Sequence, residues 1–261
     1  MIPKVIHYCW FGRNPKPELV QNCIASWKKY CPDYEIVEWN EDNFDVNYCK
    51  FTEEAYKAKK WAFVSDVARL VAVYENGGIY LDTDVELKQS LDSLLQYDVW
   101  FVRENEVSIA TGLGFGAVKQ SALVKQLIDV RVHMDGAKYM PCPSIDGPII
   151  RSFFHLGYGD KTNVVGNSII LNSNTYSDFA IHHAFGSWLN SSDKVVHKNY
   201  SKASWKFKSV LRNPKMLNFI EKHSNSKVMK LYMFFVYDLL DFGVVHFLKK
   251  FGRRLLRKGK K

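Results

Sequence analysis

Between Ser65 and Asp84 the chain reads SDVARLVAVYENGGIYLDTD, and three backbone rules operate there in turn. Val67, Leu70, Val71 and Tyr74 recur at offsets of three and four, which makes one apolar helical stripe. Ser65, Asp66 and Arg69 fall together elsewhere on that helix surface. Gly77 and Gly78 end the helix, because glycine enters the left-handed conformation without steric penalty. Ile79-Tyr80-Leu81 then reads as a short buried strand. Asp82 and Asp84 stand at its end. Residues i and i+2 of an extended chain point the same way, so the two carboxylates are expected to converge on one divalent cation with Thr83 turned aside. Ligands of open α/β sheets bind at strand ends. Taken alone, D-x-D is a common turn sequence that caps a following helix. The polar-faced helix upstream makes a metal and phosphate site the better reading.

The remaining chain alternates strands and helices. Pro17 to Lys29 is a helix begun by proline in its first turn, and Tyr34 to Trp39 alternates as a second strand. Asp98 to Val102 and Ser168 to Leu171 are further strands; Ala122 to Val132 and Pro148 to His155 are helices. Such alternation predicts an α/β fold, a mixed and largely parallel sheet flanked by helices. TGLGFG, Thr111 to Gly116, lacks the order of a dinucleotide loop and reads as a tight turn on the acceptor side.

Three separated motifs together resemble the family 32 sugar transferases with the D-x-D signature and, more remotely, the catalytic domain of the large clostridial glucosylating toxins. They are IPKVIHYCWFG (Ile2 to Gly12), SDxxR followed by GGxYLDxD, and AIHHAFGSW (Ala180 to Trp188). The resemblance implies a GT-A fold over residues 1–200, with 201–261 as a helical, basic C-terminal region. It implies that Trp10 stacks on the nucleotide base and that Ser65, Asp66 and Arg69 bind donor hydroxyls, with Tyr80 and Asp82 beside them. It further implies that Asp84 and a histidine hold Mn²⁺ or Mg²⁺, with Asp82 on the metal or the ribose, and that Trp188 donates to the leaving oxygen. Spacing to Trp188 favours His183 over His182 as the ligand; an extended strand cannot aim both at one site, and the two can be exchanged. Asp146, in SIDGP, is assigned an acceptor-orienting or base-like role.

The implied reaction is transfer of a hexose from a nucleotide-diphosphate sugar to a glycan acceptor, with retention of configuration. No carboxylate is placed as an enzymic nucleophile, so attack from the leaving-group face is expected. The expected acceptor is a lipid-linked glycan of capsule or lipopolysaccharide synthesis, with toxin-like protein glycosylation as the alternative. LDTDVE also fits a haloacid dehalogenase-type phosphatase, but it lies behind a helix rather than opening the fold, and no later acidic pair for magnesium accompanies it. A third reading is a membrane-bound sugar-binding module without catalysis.

Charge is divided unevenly. Residues 1–191 hold 18 Lys and Arg against 23 Asp and Glu, whereas residues 192–261 hold 18 against 4, so the net +9 belongs to the tail. Basicity confined to a tail, without a reader motif, argues against nucleic acid as a partner. Leu231 to Leu248 is apolar and aromatic and is followed by a Lys/Arg cluster, which suits attachment to an anionic membrane surface. Asp238, Asp241 and His246 argue against a spanning helix. The N-terminus has no long apolar stretch of the signal-peptide kind, so a cytoplasmic enzyme, peripheral on the inner membrane face, is expected. Five cysteines without a C-x-x-C pair suit buried, reduced thiols.

Overall fold

The computed structural model describes residues 1–105, 108–133, 142–156 and 159–183, all within one compact unit, Met1–Trp188. The basic tail and Trp188 lie outside the described residues. A seven-stranded sheet is built from β1 (Val5–Cys9), β2 (Glu35–Trp39), β3 (Gly78–Tyr80), β5 (Val99–Val102), β6 (Phe115–Ala117), β7 (Asn163–Val165) and β8 (Ser168–Leu171). Its order is β2-β1-β3-β6-β5-β8-β7. β1, β2, β3, β5 and β8 run one way, while β6 and β7 run against them. The expected mixed, largely parallel α/β sheet is therefore present.

Alternation along each strand sorts side chains into two cores, as a period of two requires. Ile6, Tyr8, Ile79, Trp100 and Val102 face one side, where α1 (Glu18–Tyr30) contributes Cys23 and Trp27. Cys9, Tyr80, Phe101 and Phe115 face the other, against α2 (Lys50–Lys57), α3 (Trp61–Asn76), α4 (Ala122–Val132) and α5 (Cys142–Phe153). A short pair joins β4 (Val85–Leu87), which follows the D-x-D turn, to β9 (Ala180–His182), which follows α6 (Ser173–Phe179). Trp27 is fully buried, and its indole Nε1 donates to Val85 O at 2.8 Å, tying α1 to the start of β4.

Two sequence expectations need correction. The helix expected from Pro148 begins at Cys142, so Pro148 lies inside α5 and Asp146 with it. An internal proline disfavours a helix, but the apolar positions Ile145, Ile150 and Phe154 bury almost completely and override it. TGLGFG is a turn only at its start; Phe115 and Gly116 belong to β6, in the middle of the sheet. A Cβ at Gly116 would fall 2.3 Å from Trp100 Nε1, so only glycine lets that indole lie against the strand. Ser65, Asp66 and Arg69 share a face of α3 as expected, and that face is buried, since all three are at most 9% exposed. The cysteines are free, and Cys9, Cys23, Cys31 and Cys49 are buried. Burial pushes the Cys9 thiol up to about 12, which leaves it inert.

Candidate active site

The parallel strands all end on one edge of the sheet. Trp10 follows β1, Asn40 follows β2, Asp82 lies just beyond β3, Arg103 follows β5 and Asn172 follows β8. This is the edge at which open α/β sheets bind ligands.

Asp82 and Asp84 sit in the turn between β3 and β4. The Asp82 carbonyl accepts from the Val85 amide at 3.0 Å, so the chain curls here instead of staying extended. The two side chains consequently have different surroundings. Asp82 Oδ1 accepts from the Tyr80 hydroxyl at 2.7 Å and lies 3.3 Å from Arg69 Nη2. Asp84 faces His182, whose Nε2 is 3.5 Å from Asp84 Oδ1. Loss of solvent pushes the Asp82 carboxyl above the usual range, against the pull of Arg69 and with Asp84 adding to the rise.

The register of β4 and β9 explains the choice between the two histidines. His182 is paired with Val85, which is buried, so its ring lies on the inner face of the ribbon. His183 is turned outward, its Nε2 2.9 Å from Glu86 Oε2, and only its backbone N–H meets Asp84, at the carbonyl oxygen, 3.0 Å away. The structure thus brings His182 and not His183 to the D-x-D carboxylate. Burial lowers the His182 pKa, but the hydrogen bond and charge of Asp84 outweigh it and hold the imidazole above its ordinary value.

Behind the turn is a buried charge cluster. Arg69 is 3% exposed; its Nε donates to Ser65 O at 3.1 Å, its Nη2 lies 3.0 Å from Asp66 Oδ1, and its guanidinium stands 4.9 Å from the Tyr80 ring centre. Burial works against the Arg69 charge, yet Asp82, Tyr80 and Asp66 keep it firmly protonated. Arg69 Nη1 has no hydrogen-bond partner among the described residues. It lies beside Gly112, where a Cβ would come within 3.1 Å of it and 2.3 Å of Asp82 Oδ2. An unsatisfied guanidinium nitrogen next to a carboxylate that glycine leaves uncovered is an arrangement suited to hydroxyl-rich or phosphoryl ligands.

The other predicted residues are placed as follows. Trp10 is half-buried rather than part of the core; its Nε1 donates to Asn14 O at 2.7 Å, and Lys16 Nζ lies 5.9 Å from its ring centre. Ser65 Oγ donates to Trp61 O at 3.1 Å within its own helix. Tyr80 is 1% exposed and meets Asp82 rather than the cleft. Asp146 is fully buried, and its oxygens accept from Arg131 Nη2 (3.0 and 3.1 Å), Arg131 Nε (3.2 Å) and Thr111 Oγ1 (2.7 Å). The base-like role is corrected accordingly: a carboxylate enclosed by a guanidinium and a hydroxyl meets no acceptor. Trp188 lies outside the described residues.

Sequence reasoning did not single out Arg131 or Gly112. Arg131 had a signal, since it stands on the apolar stripe of α4 with Val124, Leu127 and Ile128 and is 0% exposed. Gly112 had none, because its use depends on a carboxylate thirty positions away in sequence.

Residues 17–100 match the family described as "glycosyltransferase sugar-binding region containing DXD motif". That segment includes the helix, the Gly-Gly turn and both aspartates. That segment is thus similar to the D-x-D sugar-binding regions of glycosyltransferases. Inositol phosphoceramide mannosyltransferase 3 of Schizosaccharomyces pombe is 34% identical over 119 residues, covering 44% of this chain and 33% of that protein. Inositol phosphoceramide mannosyltransferase 2 of the same organism is 31% identical over 162 residues, covering 59% of this chain and 46% of that protein. The chain thus spans less than half the length of these relatives. Among solved structures, the PaToxG glycosyltransferase aligns with a TM-score of 0.49 at 19% identity, over 59% of this chain and 70% of that one. The resemblance to D-x-D sugar transferases is borne out.

Proposed function

We propose that the chain is a divalent-metal-dependent glycosyltransferase that moves a hexose from a nucleotide-diphosphate sugar to a glycan or lipid-linked glycan acceptor. The observation that carries this reading is the grouping of Asp84 with His182 on one side of the D-x-D turn and of Asp82, Arg69 and Asp66 on the other. Two functions are thereby separated, one set of donors for a cation and one for hydroxyls.

The cation side fits chemically. Among the described residues no three His, Cys, Asp or Glu side chains converge as a ready-made cluster, but one carboxylate and one imidazole suit Mn²⁺, and Mg²⁺ less well, with water and donor oxygens completing the shell. Bound by Asp84 and His182, the ion would supply Lewis-acid stabilisation of the departing diphosphate. On the hydroxyl side, Asp66 accepts and Arg69 Nη1 donates, and their charge strengthens each hydrogen bond. Tyr80 holds Asp82, leaving Oδ2 beside Gly112 for the ribose or a metal-bound water. Trp10 provides a ring for the base at the end of β1.

Retention without a covalent adduct agrees with these surroundings. Asp66, Asp82 and Asp146 each face a guanidinium, a pairing that weakens a carboxylate as nucleophile. The departing phosphate would instead take the acceptor's proton, with attack on the face it leaves. The same pairing argues against the phosphatase reading, in which Asp82 would attack phosphorus.

The relatives' names favour mannose as the sugar and a lipid with a phosphoinositol head group as the acceptor class. The basic tail, Leu231 to Lys261, supports attachment to an anionic membrane surface, with capsule or lipopolysaccharide assembly on the cytoplasmic face as the setting. Among the described residues no helix is long and apolar enough to cross a membrane. The test is a screen of UDP-glucose, UDP-galactose and GDP-mannose for Mn²⁺-dependent hydrolysis, with a phosphomonoester panel alongside. Nucleotide release from one sugar donor is expected; phosphate release from the monoesters without sugar-donor turnover would reject the proposal.

A further inference from the structure

Polar contacts close into a ring that begins and ends at the D-x-D turn. Asp82 meets Arg69 (3.3 Å), Arg69 meets Asp66 (3.0 Å), and Asp66 Oδ2 accepts from Arg131 Nη1 (3.3 Å). Arg131 grips Asp146 through Nε and Nη2, and Asp146 accepts from Thr111 Oγ1 at 2.7 Å. Thr111 is followed by Gly112, whose carbonyl accepts from the Asp82 amide at 3.2 Å. The ring joins α3, α4, α5 and the turns after β3 and before β6.

We propose that Arg131 is a positioning residue for the donor-sugar pocket: its guanidinium fixes the Asp66 carboxylate in the orientation that receives the sugar hydroxyls. The inference rests on the donor reading above. Arg131 is 0% exposed and cannot itself touch substrate, whereas Asp66 keeps 6% of its surface. The planar fork is divided, with Nη1 on Asp66 and the Nε/Nη2 edge on Asp146. A guanidinium locked to a buried carboxylate on one edge presents its other nitrogen in a fixed direction, which a flexible ammonium does not do. Asp66 then has one oxygen on Arg69 and the other on Arg131, so rotation of the carboxylate breaks a charge-assisted bond on either side.

Fold stability alone does not account for this arrangement. Arg131 occupies an apolar stripe packed among Val124, Leu127 and Ile128, where a well-packed hydrophobic pair often serves as well as a buried ion pair. What the pair adds over such a replacement is direction, delivered to Asp66.

The experiment uses the full chain and the double variant Arg131→Met/Asp146→Leu, which removes both partners together and leaves no stranded charge between them. Calorimetric titrations in Mn²⁺ compare UDP and GDP with UDP-glucose, UDP-galactose and GDP-mannose. The expected result is nucleoside diphosphate affinity close to wild type with nucleotide-sugar affinity reduced by ~10-fold or more, the scale on which outer partners of a binding residue act. Unchanged affinity for both probes, or equal loss of both, overturns the inference while leaving the donor reading intact. Wild-type protein that binds neither probe overturns both together. Should the double variant not fold, Thr111→Val, which removes one hydrogen bond from Asp146, carries the same comparison. A sugar-selective loss of about twofold, the size of one modest hydrogen bond, supports the role, and none overturns it.

Discussion

The imidazole of His182 stands 3.5 Å from the Asp84 carboxylate across an antiparallel pair only three residues long, while the adjacent His183 turns away to Glu86. The two histidines therefore make opposite predictions. His182→Ala is expected to lower Mn²⁺-dependent turnover by ~10–100-fold or more, the range in which metal-site partners act. His183→Ala, which loses a partly exposed contact, should stay near wild type. Titrating activity against Mn²⁺ in the two variants separates them, and the reverse order would move the metal to the outer face of the ribbon.

Gly112 tests the donor pocket without replacing a charged residue. A methyl there would lie 2.3 Å from Asp82 Oδ2, and Asp82 cannot yield without leaving Arg69 and Tyr80. Gly112→Ala is expected to lower kcat by about 100-fold, the effect of a displacement near 1 Å at a reacting centre. Circular dichroism should show an intact fold. Wild-type kcat would mean that Asp82 is not held where the chemistry needs it.

Trp27→Phe addresses the support of the D-x-D turn from the opposite core. The substitution removes the donor to Val85 O and leaves a buried carbonyl unsatisfied, at a cost of ~1–3 kcal/mol. Urea unfolding is expected at a lower midpoint, with the unfolding free energy reduced by that amount, and donor binding should weaken because β4 loses its tie to α1. An unchanged midpoint would show that another group replaces the indole.

His7 predicts a pH dependence of stability. Trp39 Nε1 donates to His7 Nδ1 at 3.1 Å, so His7 Nε2 carries the proton and donates to Gly77 O at 2.8 Å. Burial lowers the His7 pKa by removing solvent from the charged form, against the opposing pull of the Gly77 carbonyl and Glu35. The unfolded chain therefore binds protons more readily than the folded one, and stability falls as pH drops below the unfolded value of about 6.5. The thermal midpoint should decline between about pH 7 and 5, and His7→Gln should flatten that decline. An unaltered slope in the variant would assign the dependence to another group.

Much of this arrangement was legible in the sequence wherever a local rule sufficed. The stripe of α3, its end at Gly77, the strand before Asp82 and the span of α4 all follow from periodicity and glycine placement. Asp82 stands at the end of its strand as the pattern predicts, and Asp66 and Arg69 of α3 reach it through Arg69. Burial was not legible. Ser65, Asp66 and Arg69 read only as a shared polar face, because nothing local shows that it is buried or that Arg131 provides the opposing charge. The surroundings of Asp146 were hidden for the same reason: the helix was expected only from Pro148, whereas it includes Asp146, which pairs with Arg131 next to the buried Ile145. The two histidines depended on strand register, which is set by the pairing of Val85 with His182 and not by either segment alone.

The most direct test of the account is calorimetric titration of the full-length wild-type and Asp84→Asn proteins with GDP-mannose, UDP-glucose and UDP-galactose, each with and without Mn²⁺. The account predicts that one donor binds the wild-type protein only when Mn²⁺ is present, and that Asp84→Asn, still folded by circular dichroism, loses that dependence. Equal binding by both proteins, or binding indifferent to Mn²⁺ in the wild type, would contradict a metal-assisted sugar site at the D-x-D turn.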